Sequence, residues 1–195
     1  MERNFNSFTV IMIIILVFAI SFLFLENNFF IQGNVVEGDV YSNVTISKSI
    51  SIEFSPALSN GILFGNVSIL PVSNINGSEN YNVTNNLTNY YILVSSDGNT
   101  AVDFCLRANT ALTNQYLDVL ELGNESYSCS NESNMTLPSI SNETAFTLSS
   151  VKCGQNINPA SNNYYRFWLD IPAAQPSGDY NNTLSFRGIS SGESC

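Results

Sequence analysis

Residues 8–25, FTVIMIIILVFAISFLFL, carry no charged side chain, and only Thr9 and Ser21 are polar. As a helix this run spans roughly 27 Å at about 1.5 Å per residue, close to a hydrocarbon core of about 30 Å. Backbone groups in lipid must bond one another, so a membrane-embedded run of this kind has to be helical. Beyond residue 25 the chain is rich in Asn and Ser and places no apolar residues at helical spacing. The expected organisation is a short cytoplasmic tail (1–7), a transmembrane signal anchor or signal peptide (8–25), a juxtamembrane stem (26–40) and an extracellular β domain (41–195).

Arg3 is the sole cation before the run, whereas Glu26, Glu37 and Asp39 come after it and the next cation is Lys48. The positive-inside rule then puts the N-terminus in the cytoplasm and the C-terminal part outside. Cleavage at the small-residue site Ala19-Ile20-Ser21 would release the chain with the apolar N-terminus FLFLENNFF, so an uncleaved anchor is favoured over a secreted form. No Cys stands near the run, which excludes an acylated lipoprotein. Asn6-Ser7-Phe8 lacks the Lys/Arg-Gly/Ala pair of an archaeal class III pilin leader.

Six Lys plus Arg stand against 16 Asp plus Glu, for a net charge of −10. There is no basic stripe for nucleic acid. Only 11% of residues are charged, so solubility has to come from amides and hydroxyls and from sugar attached to them. N-x-S/T acceptors start at Asn43, Asn66, Asn76, Asn82, Asn86, Asn124, Asn131, Asn134, Asn142 and Asn181. Composition alone gives about five such sites, half the number present. Cys105, Cys129, Cys153 and Cys195 are an even set in a chain expected outside, which favours disulfides. No C-x-x-C and no His is present, so a zinc site is not expected. Of three possible pairings, the nested one, Cys105–Cys195 with Cys129–Cys153, is favoured. It closes one long and one short loop and fastens the C-terminus.

Period-two patterning begins at Val44, with Val44, Ile46, Ile50, Ile52 and Phe54 on one face. It predicts a strand up to Pro56 and a second over 61–70, with 71–89 as a loop. Residues 90–95 and 100–108 read as a hairpin turning at Asp97-Gly98. Further strands are expected at 116–122 and 145–152, flanking a sequon-rich excursion at 123–142. Residues 164–171, YYRFWLDI, alternate Tyr165, Phe167, Leu169 and Ile171 against Tyr164, Arg166, Trp168 and Asp170; 180–187 come next, after a Pro/Gly-rich turn. The predicted fold is all-β: a two-sheet antiparallel β-sandwich, Ig-like, of about 7–8 strands behind one N-terminal helix.

The segment from Trp168-Leu-Asp-Ile-Pro172 through Gly178-Asp-Tyr180 to Phe186 resembles the closing hairpin of prokaryotic cell-surface sandwich domains. The chain as a whole looks like small uncharacterised archaeal surface proteins with an N-terminal signal anchor. The resemblance implies a fold and a location. It brings no catalytic residues, and W-L-D-I-P departs from a strict W-x-L surface-binding module.

Without His there is no Ser-His-Asp or Cys-His machinery, and no cofactor motif is present. Asp103, Asp170 and Asp179 fall at strand ends, where solvated carboxylates are common. Asp97-Gly98-Asn99 is too short a series for a calcium loop. Tyr164 and Trp168 share one face and are the candidates for a sugar-stacking platform, although Tyr165 falls on the opposite face and core packing is the favoured role. The expected function is a non-enzymatic cell-surface protein, structural or adhesive, contacting the membrane through 8–25 and other surface proteins or itself. A carbohydrate-binding module and a donor-strand filament subunit, pilin-like, are the alternatives.

Overall fold

The computed structural model describes residues 7–26 and 43–195, with the side chains of 11–20 and 43–195. Residues 1–6 of the expected tail (1–7), 27–40 of the expected stem (26–40) and 41–42 of the expected β domain lie outside the described residues. The chain divides into two units, Met1–Thr45 and Ile46–Cys195.

In the first unit helix α1 spans Ser7–Glu26. Its described side chains, 11–20, are apolar all round, from Ile20 at 46% to Phe18 at 73% exposed. Among the described residues no helix is long and apolar enough to cross a membrane.

The second unit is mostly β, and all its sheets are antiparallel. Its elements are β1 (Ile52–Phe54), a single turn α2 (Pro56–Ser59), β2 (Val72–Asn76), β3 (Tyr91–Val94), β4 (Val102–Ala108), β5 (Leu112–Thr113), β6 (Val119–Leu120), β7 (Glu125–Ser130), β8 (Thr144–Ala145), β9 (Val151–Lys152), β10 (Ser161–Ile171) and β11 (Leu184–Ser190). One sheet runs β1-β3-β10-β7-β8, with β2 also paired to β10; a second runs β11-β4-β9; β5 and β6 form a two-stranded ribbon.

Strand β10 is central because its sequence serves two buried faces. Asn163, Tyr165, Phe167 and Leu169 point one way, Arg166 and Trp168 the other, and all are buried. Tyr165 and Phe167 join Ile92 and Val94 of β3, Tyr127 of β7 and Phe104 and Leu106 of β4 in one apolar cluster. That cluster therefore draws on both larger sheets. The Tyr165 ring meets Phe186 of β11 edge-on at 5.6 Å. Each large apolar side chain so buried contributes about 1.5–3 kcal/mol before entropy is subtracted.

Several expected strands and pairings differ. The hairpin over 90–108 does not form: β3 and β4 lie in different sheets. A two-residue hairpin turn of type I′ needs φ > 0 at both central residues. Neither Asp97 nor Gly98 has it. Asn99 instead bonds the segment before β1, its N–H donating to Ser49 O (3.1 Å) and its side-chain amide to Ser47 O (2.9 Å). Gly98 suits that approach, since a Cβ there would stand 3.3 Å from Ser49 O, a tight contact. The first expected strand shrinks to β1, and Val44 and Ile46 are 79% and 78% exposed.

The closing pair at 164–187 is likewise split, β10 in the larger sheet and β11 in the smaller. Residues 61–70 form no strand, although Ile62 and Phe64 still pack on the core. The expected loop at 71–89 contains β2, and the excursion at 123–142 contains β7, which pairs with β10 from Tyr164↔Ser130 to Leu169↔Glu125. Residues 116–122 reduce to β6, and 145–152 to parts of β8 and β9 in separate sheets.

Candidate functional site

Cys105 of β4 is bonded to Cys195, and Cys129 of β7 to Cys153, just after β9. The second bridge ties the larger sheet to the smaller one. The C-terminal turn is also held by Asp103, which is 2% exposed. Its carboxylate accepts from Lys152 Nζ (2.8 Å), Asn156 N (2.7 Å) and Gly192 N (3.0 Å). Burial alone would raise its pKa; these donors outweigh burial and hold it well below the usual carboxylate range.

The aromatic pair named as candidates for sugar stacking does not offer a platform, and Trp168 takes the favoured core-packing role. Trp168 is 1% exposed and its indole N–H donates to Asn76 Oδ1 at 3.0 Å. Tyr164 is half-buried against Tyr91, ring centroids 5.9 Å apart. The segment that covers this face is held by Arg166. Its guanidinium is fully buried and donates to the carbonyls of Asn80, Pro138, Asn86 and Asn134 at 2.7–3.1 Å. It also stacks on Tyr81, 4.1 Å from the ring centroid. Burial lowers its pKa and Tyr81 opposes that shift. Two of its four acceptors, Asn86 and Asn134, are sequon asparagines.

The sequon acceptors differ from the other asparagines in what their amides do. None of the ten is buried, whereas Asn80, Asn114 and Asn163, all outside sequons, are. Where a sequon side chain is bonded, at Asn76, Asn82 and Asn134, it is Oδ1 that accepts. Among the described residues Nδ2, the atom that would carry sugar, donates at none of the ten. It does donate at Asn80, Asn89, Asn99, Asn114, Asn162, Asn163 and Asn182.

A polar cleft of about 610 Å³ opens where Asn181 pairs with β5, lined by Thr110, Thr113, Asn114, Gln115, Asp179, Asn181, Asn182 and Thr183. Its wall is built around Asn114, whose Oδ1 accepts from the amides of Tyr116 and Asp118 (both 2.9 Å) and whose Nδ2 donates to Asp118. Gly178 is needed beside it, since a Cβ there would lie 2.7 Å from Asn114 Nδ2. Behind the cleft Glu125 is 2% exposed and accepts from Asn182 Nδ2 at 2.7 Å. Burial pushes its pKa up to about 7, against a small lowering from that hydrogen bond.

Glu125, Arg166 and Asn182 were not singled out by sequence. The one signal for Arg166 was a charge set in an otherwise apolar alternating strand. Asp97 and Asp170 join no metal cluster: among the described residues no group of three His, Cys, Asp or Glu could hold an ion. In comparisons with family models, curated proteins and solved structures, nothing matches.

Proposed function

We propose that this chain is a non-enzymatic, N-glycosylated component of a cell envelope, held at the membrane by residues 8–25. Its exposed domain is a two-sheet, Ig-like β-sandwich. The cluster shared by both larger sheets and the cross-sheet Cys129–Cys153 bridge support the sandwich. Two disulfides fit an oxidising compartment. The observation that carries the reading is the side-chain amide pattern: among the described residues the sequon acceptors keep Nδ2 unengaged, and seven asparagines that are not acceptors spend it as a donor. A sugar at Nδ2 of a bonded, buried amide would break the fold; at the ten sequon positions it breaks no described bond.

Glycopeptide mass mapping of protein isolated from its own membranes tests this. Occupied sequons are expected; complete absence of glycan at all ten would refute it. For the structural role, electron microscopy of cells lacking the protein is expected to show altered surface layers or fibres, and unchanged envelopes would exclude it.

A further inference from the structure

One sequon acceptor, Asn181, lines the polar cleft. Thr113 and Asn181 exchange both backbone hydrogen bonds, Thr113 N to Asn181 O at 3.0 Å and Asn181 N to Thr113 O at 3.2 Å. In an antiparallel pair of this type the two side chains stand on the same side, with Cβ atoms about 5 Å apart. Among the described residues nothing bonds the side-chain amides of Asn181 or Gln115, so both are available within the cleft.

We propose that the cleft is the seat of the first sugars of an N-linked glycan carried by Asn181 itself. The inference rests on the glycosylated-envelope reading and adds where one glycan lies and what holds it. In the modification, Nδ2 of Asn181 bonds the anomeric carbon of the sugar. The bond from that carbon to the phosphate oxygen of a lipid-linked oligosaccharide donor breaks, and Nδ2 loses a proton. The sugar then begins inside the cleft because the amide does.

The lining suits it. Thr110 and Thr113 offer hydroxyls, Gln115 an amide and Asp179 a carboxylate, together both donors and acceptors for sugar hydroxyls. No cation lines the cleft, which disfavours phosphate or nucleotide. The volume lies within the range of about 300–1,000 Å³ usual for small-molecule sites. Tyr116, next to Gln115 and 71% exposed, can offer a ring face to the apolar side of a pyranose. The walls are preformed by the Asn114 hydrogen bonds and by the close approach at Gly178. A seated glycan would join the segment entering β11 to the β5–β6 ribbon.

The test uses the glycoprotein from its native host. Glycopeptide mapping should find Asn181 occupied. Calorimetry should then show that Asn181→Gln lowers the Tm by roughly 2–4 °C, while Asn131→Gln, outside the cleft, leaves it unchanged. Gln115→Ala, at an exposed side chain, should lower the Tm of the glycosylated chain and do nothing further in the Asn181→Gln background. Occupancy elsewhere with Asn181 bare would overturn the proposal and leave the envelope reading standing. So would a Gln115→Ala effect that simply adds to that of Asn181→Gln, or equal Tm values for Asn181→Gln and Asn131→Gln. No occupied sequon anywhere would overturn both.

Discussion

Replacing Glu125 by Gln isolates a pH-dependent contribution to stability. The carboxyl is 2% exposed, and its pKa rises from 4.5 to about 7 on folding. The folded state therefore keeps a proton that the unfolded chain gives up between those values. Stability from this group is fully present below about pH 4.5 and is lost as pH rises through about 7. At about 1.36 kcal/mol per pH unit, the loss at pH 8 is about 3 kcal/mol. Gln keeps the side-chain shape and an acceptor for Asn182 Nδ2, and it does not ionise. At pH 4.5 the two proteins should melt together. At pH 8 Glu125→Gln should melt roughly 6–12 °C higher, taking about 2–4 °C per kcal/mol for a domain of this size. The assay is scanning calorimetry of the oxidised full chain in detergent at half-unit pH steps. Other titrating groups cancel in the difference between the two proteins. Parallel curves, or a variant less stable at pH 8, would refute the reasoning.

The same contacts set three further outcomes. Arg166→Met leaves four backbone carbonyls without their donor, two of them (Asn80 and Pro138) buried, and should cost about 3–5 kcal/mol, read as a urea midpoint shift; Arg166→Lys should recover only part of it. Cys129→Ser with Cys153→Ser removes the cross-sheet bridge and should cost about 3–4 kcal/mol, measured by the same denaturation. Asp103→Asn weakens the hold on Lys152 and Gly192. Because the Asp103 pKa is depressed in the folded state, its stabilisation is present above its unfolded value and lost as pH falls below it. Wild-type and variant curves should therefore draw closer as pH falls below about 4, and a gap that stays constant between pH 5 and pH 2 would contradict this.

The β character was legible because β10 and β11 alternate clearly, and the burial of Tyr165 and Phe167 agrees with that alternation. Which strands pair was not. Asp97-Gly98 has the composition of a hairpin turn, yet its backbone angles and the reach of Asn99 to Ser47 and Ser49 make it a passage between sheets. Strand β7, ESYSCS, was hidden because its only large apolar side chain is Tyr127, the other large buried one being the carboxylate Glu125. Its strand character comes from pairing with β10 rather than from propensity. For Trp168 core packing was the favoured reading and its burial agrees, but a ligand platform stayed open because periodicity gives a face and not what covers it. The cover is a segment held by a buried Arg166, fixed by backbone carbonyls far away in sequence. The polar cleft was invisible for the same reason: Thr113 and Asn181 meet only through a bridge between chain segments 68 residues apart.

The claim beneath the rest is that this β domain matures outside the reducing cytosol. Alkylating intact cells before lysis, then mapping the four cysteines by mass spectrometry, tests it directly. The account predicts no alkylated thiol and two linked peptide pairs, Cys105 with Cys195 and Cys129 with Cys153. Four alkylated cysteines in freshly made, folded protein would contradict it.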